Sequence, residues 1–187
     1  MIWSDEKLIE VLLGGGVAVM PTDTIYGIVG SAFNESTVGR IYTLRKRNPE
    51  KPCIVLIGDI SELEKFSINL TGEQRQKLEE YWQQDSLPVS IILDCEEDKF
   101  AYLHRGTHTL AFRVPHKQEL RELLLKTGPL IAPSANIEGL APSTNIPEAR
   151  NYFGDSVDLY VDGGDVEGNA SKVIKVDKDG TVSVLRE

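Results

Sequence analysis

The sequence predicts an α/β domain, a twisted mixed sheet flanked by helices, and three observations carry that prediction. Apolar runs of strand length alternate along the chain with stretches of helical periodicity. Cys53 to Ile57 is apolar throughout, as in a strand covered on both faces. Near the C-terminus, Asp179-Gly180 joins Val173–Val176 to Thr181–Leu185, a hairpin pattern that makes the sheet mixed.

Each element has its own local reason. Residues 4–13 read as a helix that Ser4 caps, with Leu8, Ile9, Leu12 and Leu13 on one face and Gly14-Gly15-Gly16 as its stop. A short strand, Val17 to Met20, ends at Pro21. A helix over 35–46 turns Val38, Ile41 and Tyr42 inward. Thr71 with Gln74 forms a capping box ahead of Leu78, Tyr81 and Trp82. Strands at Val89–Leu93 and Thr109–Val114 precede a helix near 117–127, which Gly128-Pro129 stops. Leu130 to Ala132 is a short strand. Asn145 with Glu148 caps a helix ending at Gly154, and Leu159–Val161 is the strand after it.

Composition narrows the class. The chain has 187 residues, which suits one domain over 1–187, and its 41% apolar and 26% charged content is ordinary for a soluble globular protein. No run approaches the roughly 18 apolar residues of a membrane span. The first residues lack the basic-then-apolar order of a signal peptide, and two cysteines make no disulfide framework, so a cytoplasmic protein is expected.

The net charge of −9 argues against wholesale coating of nucleic acid. Within it, Arg40, Arg45, Lys46, Arg47 and Lys51 cluster against the single acid Glu50, where even spreading would put about one cation. The cluster reads either as a focused anion site or as a solvated helix end with cations near its C-terminus.

Three polar loops follow strands: Pro21-Thr-Asp-Thr-Ile-Tyr-Gly27, Pro133-Ser-Ala-Asn136 and Asp162-Gly163-Gly164. Ligands of open α/β sheets sit at strand ends, and such hydroxyls and free N–H groups suit phosphate or carboxylate. Each loop alone is equally an ordinary turn. Other chemistries lack their patterns. His104 and His108 have a metal-pair spacing but are interrupted by Gly106, and no P-loop, dinucleotide fingerprint or serine-hydrolase elbow occurs. The sequence offers cations and hydroxyls without an evident nucleophile and base, and it assigns no protein metal site.

Five ordered motifs are more specific than any one loop. They are Pro21–Gly27; Arg45-Lys46-Arg47 with Lys51-Pro52; Thr109-Leu-Ala-Phe-Arg113-Val-Pro115; Ala132-Pro-Ser134-Ala-Asn136 with Gly139, Pro142 and Thr144; and Asp162-Gly-Gly164 with Ser171. Together they resemble the YrdC/TsaC family of threonylcarbamoyl-AMP synthases from about residue 5 onward. The resemblance implies a YrdC-like α/β domain with an open, positively charged cavity. It implies ATP, L-threonine and bicarbonate as substrates, and threonylcarbamoyl-AMP and pyrophosphate as products. Mg²⁺ would travel with ATP, and partner transferase proteins would then modify the adenosine beside the anticodon in tRNA.

By position, the resemblance implies that Thr24, Arg113, Ser134 and Ser171 hold threonine. Arg47, Lys51, Thr109, Asn136, Thr144 and Arg186 would line the ATP site, with Arg45 and Arg47 as its catalytic cations. Arg45 stands where the family has lysine, which implies that a mobile point charge suffices there, whereas Arg47 would clasp phosphate with its planar fork. The chain departs from the family pattern at Asn48, Glu138, Lys172 and the Trp82–Ser90 segment. Two other readings stand beside the synthase: an RNA- or tRNA-binding module, and a degenerate paralogue that binds nucleotide without turnover.

Overall fold

The computed structural model describes residues 2–83 and 88–187. Among them nine strands form one sheet in the order β7-β1-β2-β6-β3-β5-β4-β8-β9. The strands are β1 (Ala18–Pro21), β2 (Tyr26–Ser31), β3 (Ile54–Leu56), β4 (Val89–Asp94), β5 (Thr109–Arg113), β6 (Leu130–Ile131), β7 (Leu159–Tyr160), β8 (Lys172–Val176) and β9 (Val182–Arg186). Three pairs are parallel, β1 with β7, β3 with β5 and β4 with β8, and the rest are antiparallel, so the sheet is mixed. Among the described residues six α-helices flank it: α1 (Glu6–Leu13), α2 (Glu35–Arg45), α3 (Gly72–Gln83), α4 (Ala101–His104), α5 (Gln118–Thr127) and α6 (Ile146–Phe153).

The helix signals resolve into specific caps. Thr71 and Gln74 make the expected reciprocal box, with Gln74 N donating to Thr71 Oγ1 at 3.1 Å and Thr71 N to Gln74 Oε1 at 3.2 Å. Asn145 caps α6 by accepting from Glu148 N at 3.1 Å. At α1 the cap is Asp5 rather than Ser4. The Asp5 carboxylate accepts from Lys7 N and Leu8 N, satisfying two orphan donors of the first turn. Residues Ile2–Ser4 form a 3-10 turn instead, and Trp3 Nε1 donates to Pro21 O at 3.0 Å.

Strand β2 is absent from the sequence reading because its glycines look like a turn. Both have packing reasons. Gly27 faces the opening described below, and Gly30 lets α2 approach the sheet. A Cβ at Gly30 would press into the Thr37 methyl and lie 3.2 Å from Ile41 Cδ1. Of the Trp82–Ser90 segment, residues 84–87 lie outside the described residues; Trp82 Nε1 donates to Val89 O at 3.0 Å.

Strand alternation divides the interior in two. Val55, Ile57, Ile91, Leu93, Leu110 and Phe112 point into the larger core, which α2, α3, α4 and α6 cover. On the opposite face Leu56, Leu130, Met20 and Val29 meet α1 and α5. No described helix is long and apolar enough to cross a membrane. The second face is only partly roofed: α1 and α5 bury residues of β1, β2, β3 and β6, whereas its β4, β5, β8 and β9 positions belong to neither core.

Because α2 rests on a bare backbone at Gly30, Gly30→Ala is expected to cost about 1–3 kcal/mol by overpacking. Urea unfolding would measure it, and an unchanged midpoint would show that α2 shifts freely on the sheet.

Candidate functional site

The unroofed face is the floor of a cavity of about 680 Å³. Ile54, Ala111 and Ile92 lie in register across β3, β5 and β4 and form its apolar base. The walls come from the β1–β2 turn, the C-terminal end of α2, the loop after β6 and the segment leading into β8. Four guanidinium groups line it, those of Arg45, Arg47, Arg113 and Arg186, and no Asp or Glu does among the described residues. In a chain of net charge −9, that separation makes the cavity a site for anions.

Arg113 is the last residue of β5 and the most enclosed of the four. Its Nη2 donates to Asp23 Oδ1 at 2.9 Å and to Thr24 Oγ1 at 3.3 Å, and the two side chains of the ion pair are only 5% and 1% exposed. Burial pushes the guanidinium below its ordinary pKa, and Asp23 pulls it back. The Nε of Arg113 is buried without a hydrogen-bond partner. Thr24 is fixed in turn by Thr22, whose hydroxyl lies 3.0 Å from that of Thr24 and donates to Ile25 O at 2.7 Å.

Arg45, at the end of α2, reaches the loop after β6. Its Nε donates to Asn136 O, and its Nη2 to Ser134 Oγ and Asn136 Oδ1, each at 3.1 Å. The residue is 3% exposed, and its Nη1 is buried without a partner. Burial, then the neighbouring charge of Arg47, lowers its pKa. This differs from the mobile point charge expected at that position: the guanidinium is clasped in place and forms part of the wall.

Arg47 also departs from expectation. Its fork already holds two main-chain carbonyls, Nε to Lys51 O at 3.1 Å and Nη2 to Pro52 O at 2.7 Å, while its Cζ lies 5.7 Å from the Tyr42 ring centre. Tyr42 OH donates to the same Lys51 carbonyl at 2.7 Å, and burial raises its pKa to about 12. Arg186 donates through Nε and Nη2 to Ser171 O. The Ser171 hydroxyl is engaged by Ser90 Oγ at 2.8 Å.

The cavity thus gathers Thr24, Arg45, Arg47, Thr109, Arg113, Ser134, Asn136, Ser171 and Arg186. Lys51 and Thr144 are not in its wall. Lys51, 62% exposed in its side chain, pairs with Glu138 at 3.1 Å, and the other Glu138 oxygen accepts from Asn48 N at 2.5 Å. Glu138 and Asn48, two of the departures from the family pattern, are therefore bonded to each other. Thr144 N donates to Glu148 Oε2 at 2.8 Å, so it serves the start of α6.

Asp23 and Tyr26 belong to the Pro21–Gly27 motif, and the sequence assigned neither a role in the site. Asp23 was legible in principle, since an acid beside Thr24 can pair a buried cation. Tyr26 was not: its hydroxyl donates to Gly164 O at 2.8 Å and accepts from Gly163 N at 2.9 Å, contacts nearly 140 residues away in the chain. Cys53 lines the cavity too, but burial raises its thiol pKa, which keeps it neutral and a poor nucleophile.

Comparison with known proteins adds to this geometry. The model of the Sua5_yciO_yrdC family, described as telomere recombination, matches residues 10–187. A putative threonylcarbamoyl-AMP synthase of Mycobacterium tuberculosis is 31% identical over 179 residues, which are 95% of this chain and 81% of that protein. Pyrococcus abyssi Sua5, in a crystal structure complexed with L-threonine, superposes with a TM-score of 0.86 at 25% identity. The match covers 100% of this chain and 54% of the Sua5 chain, so this chain spans about half of that protein. E. coli YciO shares the fold, with a TM-score of 0.80 at 23% identity over 97% of this chain and 87% of the other.

The clasp of Arg45 yields a stability prediction. Arg45→Met removes three hydrogen bonds between α2 and the loop after β6 and should cost about 1–3 kcal/mol, with Arg45→Lys intermediate. Urea midpoints at constant slope would measure both. No loss in Arg45→Met would mean that the clasp contributes nothing net.

Proposed function

This chain belongs to the Sua5/YciO/YrdC family, and from that premise we propose that it is a threonylcarbamoyl-AMP synthase, condensing ATP, L-threonine and bicarbonate with release of pyrophosphate. The observation that carries the reading is the cavity wall of four guanidinium groups without a carboxylate. Two of the three substrates are anions, and the third brings a carboxylate.

In this reading threonine lies at the Arg113 end. Its carboxylate takes the unpartnered Nε of Arg113, and Thr24 and Ser134 offer hydroxyl contacts. Ser171 joins that end with a hydroxyl that Ser90 positions. ATP lies along Arg45, Arg47, Thr109, Asn136 and Arg186, with Lys51 and Thr144 as groups outside the wall. The threonine amine and bicarbonate first join through a new N–C bond with loss of water; an oxygen of that carbamate attacks the α-phosphorus, the new O–P bond forms, and the bond to the bridging oxygen breaks with its electron pair leaving on pyrophosphate. Such a transfer needs alignment and charge neutralisation more than a protein nucleophile.

The wall offers hydroxyls and an amide but no carboxylate, so Mg²⁺ would be held by the phosphates and water rather than by a protein cage. When bound, it would add neutralising charge at the triphosphate. The product would pass to transferase proteins that act on the adenosine beside the anticodon of tRNA.

Omission of reactants tests the reading. Pyrophosphate should appear only with ATP, L-threonine, bicarbonate and Mg²⁺ together; release that ignores threonine would point to another adenylating activity, and no release to a binding protein. Within the assay, Arg113→Lys should raise KM for threonine about tenfold or more while KM for ATP stays near the original value. Equal rises in both constants would separate Arg113 from the threonine end.

A further inference from the structure

Arg105, in the turn between α4 and β5, has no part in the site as described so far. It caps α4 with a left-handed backbone, φ 54°, a conformation that few residues other than glycine adopt. Its guanidinium carbon lies 4.0 Å from the centre of the Tyr42 ring, the ring that Arg47 also approaches. Its Nε is buried without a hydrogen-bond partner, and none of its side-chain nitrogens has a carboxylate partner among the described residues.

The sheet register places this turn beside the cavity. Because β3 and β5 are parallel with Ile54 opposite Ala111, the approach to β5 runs beside the approach to β3. Thr107, two residues beyond Arg105, lines the cavity together with Arg47, Pro52 and Cys53. Arg47 and Arg105 both approach the Tyr42 ring, and Arg45 and Arg47 share the wall with Cys53, so three guanidinium groups gather about one corner. That corner is held by a ring face and main-chain carbonyls; its neighbouring acid, Glu138, is engaged by Lys51 Nζ and Asn48 N, and among the described residues no carboxylate bonds any of the three guanidinium groups. A stacking contact alone is worth about 0.5–1 kcal/mol at an exposed site, a small return for confining like charges. A ligand with several adjacent negative charges would relieve the repulsion and use the free donors.

We propose that Arg105 is a polyphosphate-binding residue that, with Arg47 across the shared Tyr42 platform, holds the pyrophosphate portion of ATP. The inference rests on the ATP reading above and adds to it a residue and a location. As the bond from the α-phosphorus to the bridging oxygen breaks, the electron pair stays on that oxygen and negative charge grows on the departing pyrophosphate. Arg105 meets that charge with N–H donors, and no proton has to move.

Calorimetric titration of the full chain with inorganic pyrophosphate, AMP and L-threonine, one at a time, tests the assignment. Arg105→Gln should weaken pyrophosphate binding about tenfold, as expected for the loss of one charge-assisted contact, and leave AMP and threonine unchanged. Arg105→Lys keeps the charge without the planar fork and should fall between. If wild type binds pyrophosphate and folded Arg105→Gln binds it equally well, the role of Arg105 is overturned and the synthase reading stands. Parallel weakening of all three ligands would mean that Arg105 acts only through the fold, and would overturn it too. If wild type binds no pyrophosphate, the ATP reading falls with it. Should Arg105→Gln not fold, Arg105→Lys decides: unchanged pyrophosphate affinity there overturns the proposal.

Discussion

Everything about the cavity depends on the alternation of strand β5. Leu110 and Phe112 turn to the large core, and Thr109, Ala111 and Arg113 turn the other way. Two apolar side chains fix the register, and a one-residue slip would bury Arg113 in the large core without its acid partner. The same alternation in β4 and β8 sends Ile91 and Ile174 inward and leaves Ile92 and Val173 on the open side. The site is therefore the reverse side of the core: the residues that stabilise the sheet also decide which residues face the ligand.

A second constraint is how the cations are held. Arg113 alone has an acid partner; Arg45, Arg47 and Arg186 are fixed by carbonyls, an amide oxygen and a hydroxyl. Neutral acceptors orient a guanidinium without cancelling its charge, so the groups keep their attraction for an incoming anion. The cost is burial first and repulsion second, and both lower the pKa of Arg45 beside Arg47. Holding charge in place before the substrate arrives is what electrostatic catalysis requires.

Much of this was legible in the sequence, and the gaps have physical causes. Caps at Thr71 and Asn145 and the Asp179-Gly180 hairpin are local, and they appear where the residues indicate. Strand β2 was hidden because Gly27 and Gly30 serve close packing while resembling turn residues. Strand order was illegible because each neighbour relation joins distant segments, as when β6 falls between β2 and β3. In the candidate site, the ordered motifs located most of the wall. They did not reveal that the Arg47 fork is occupied by the Lys51 and Pro52 carbonyls, or that Glu138 holds Lys51, since such contacts follow from loop geometry.

The strand order also bears on the time at which the site comes into being. Strands β1 to β6 are complete by residue 131, but β8 and β9 follow at 172–186 and β8 pairs with β4. Ser171 and Arg186 reach the cavity only with these late strands. During synthesis, which proceeds from the N-terminus at about 5–20 residues per second, the nascent chain can form its N-terminal hairpin and α2 early. The wall closes only when the late hairpin docks, a long-range step of the kind that slows folding. A growing polypeptide thus carries its cationic residues for most of its emergence without a finished pocket to concentrate them, and binding competence arrives in one late event.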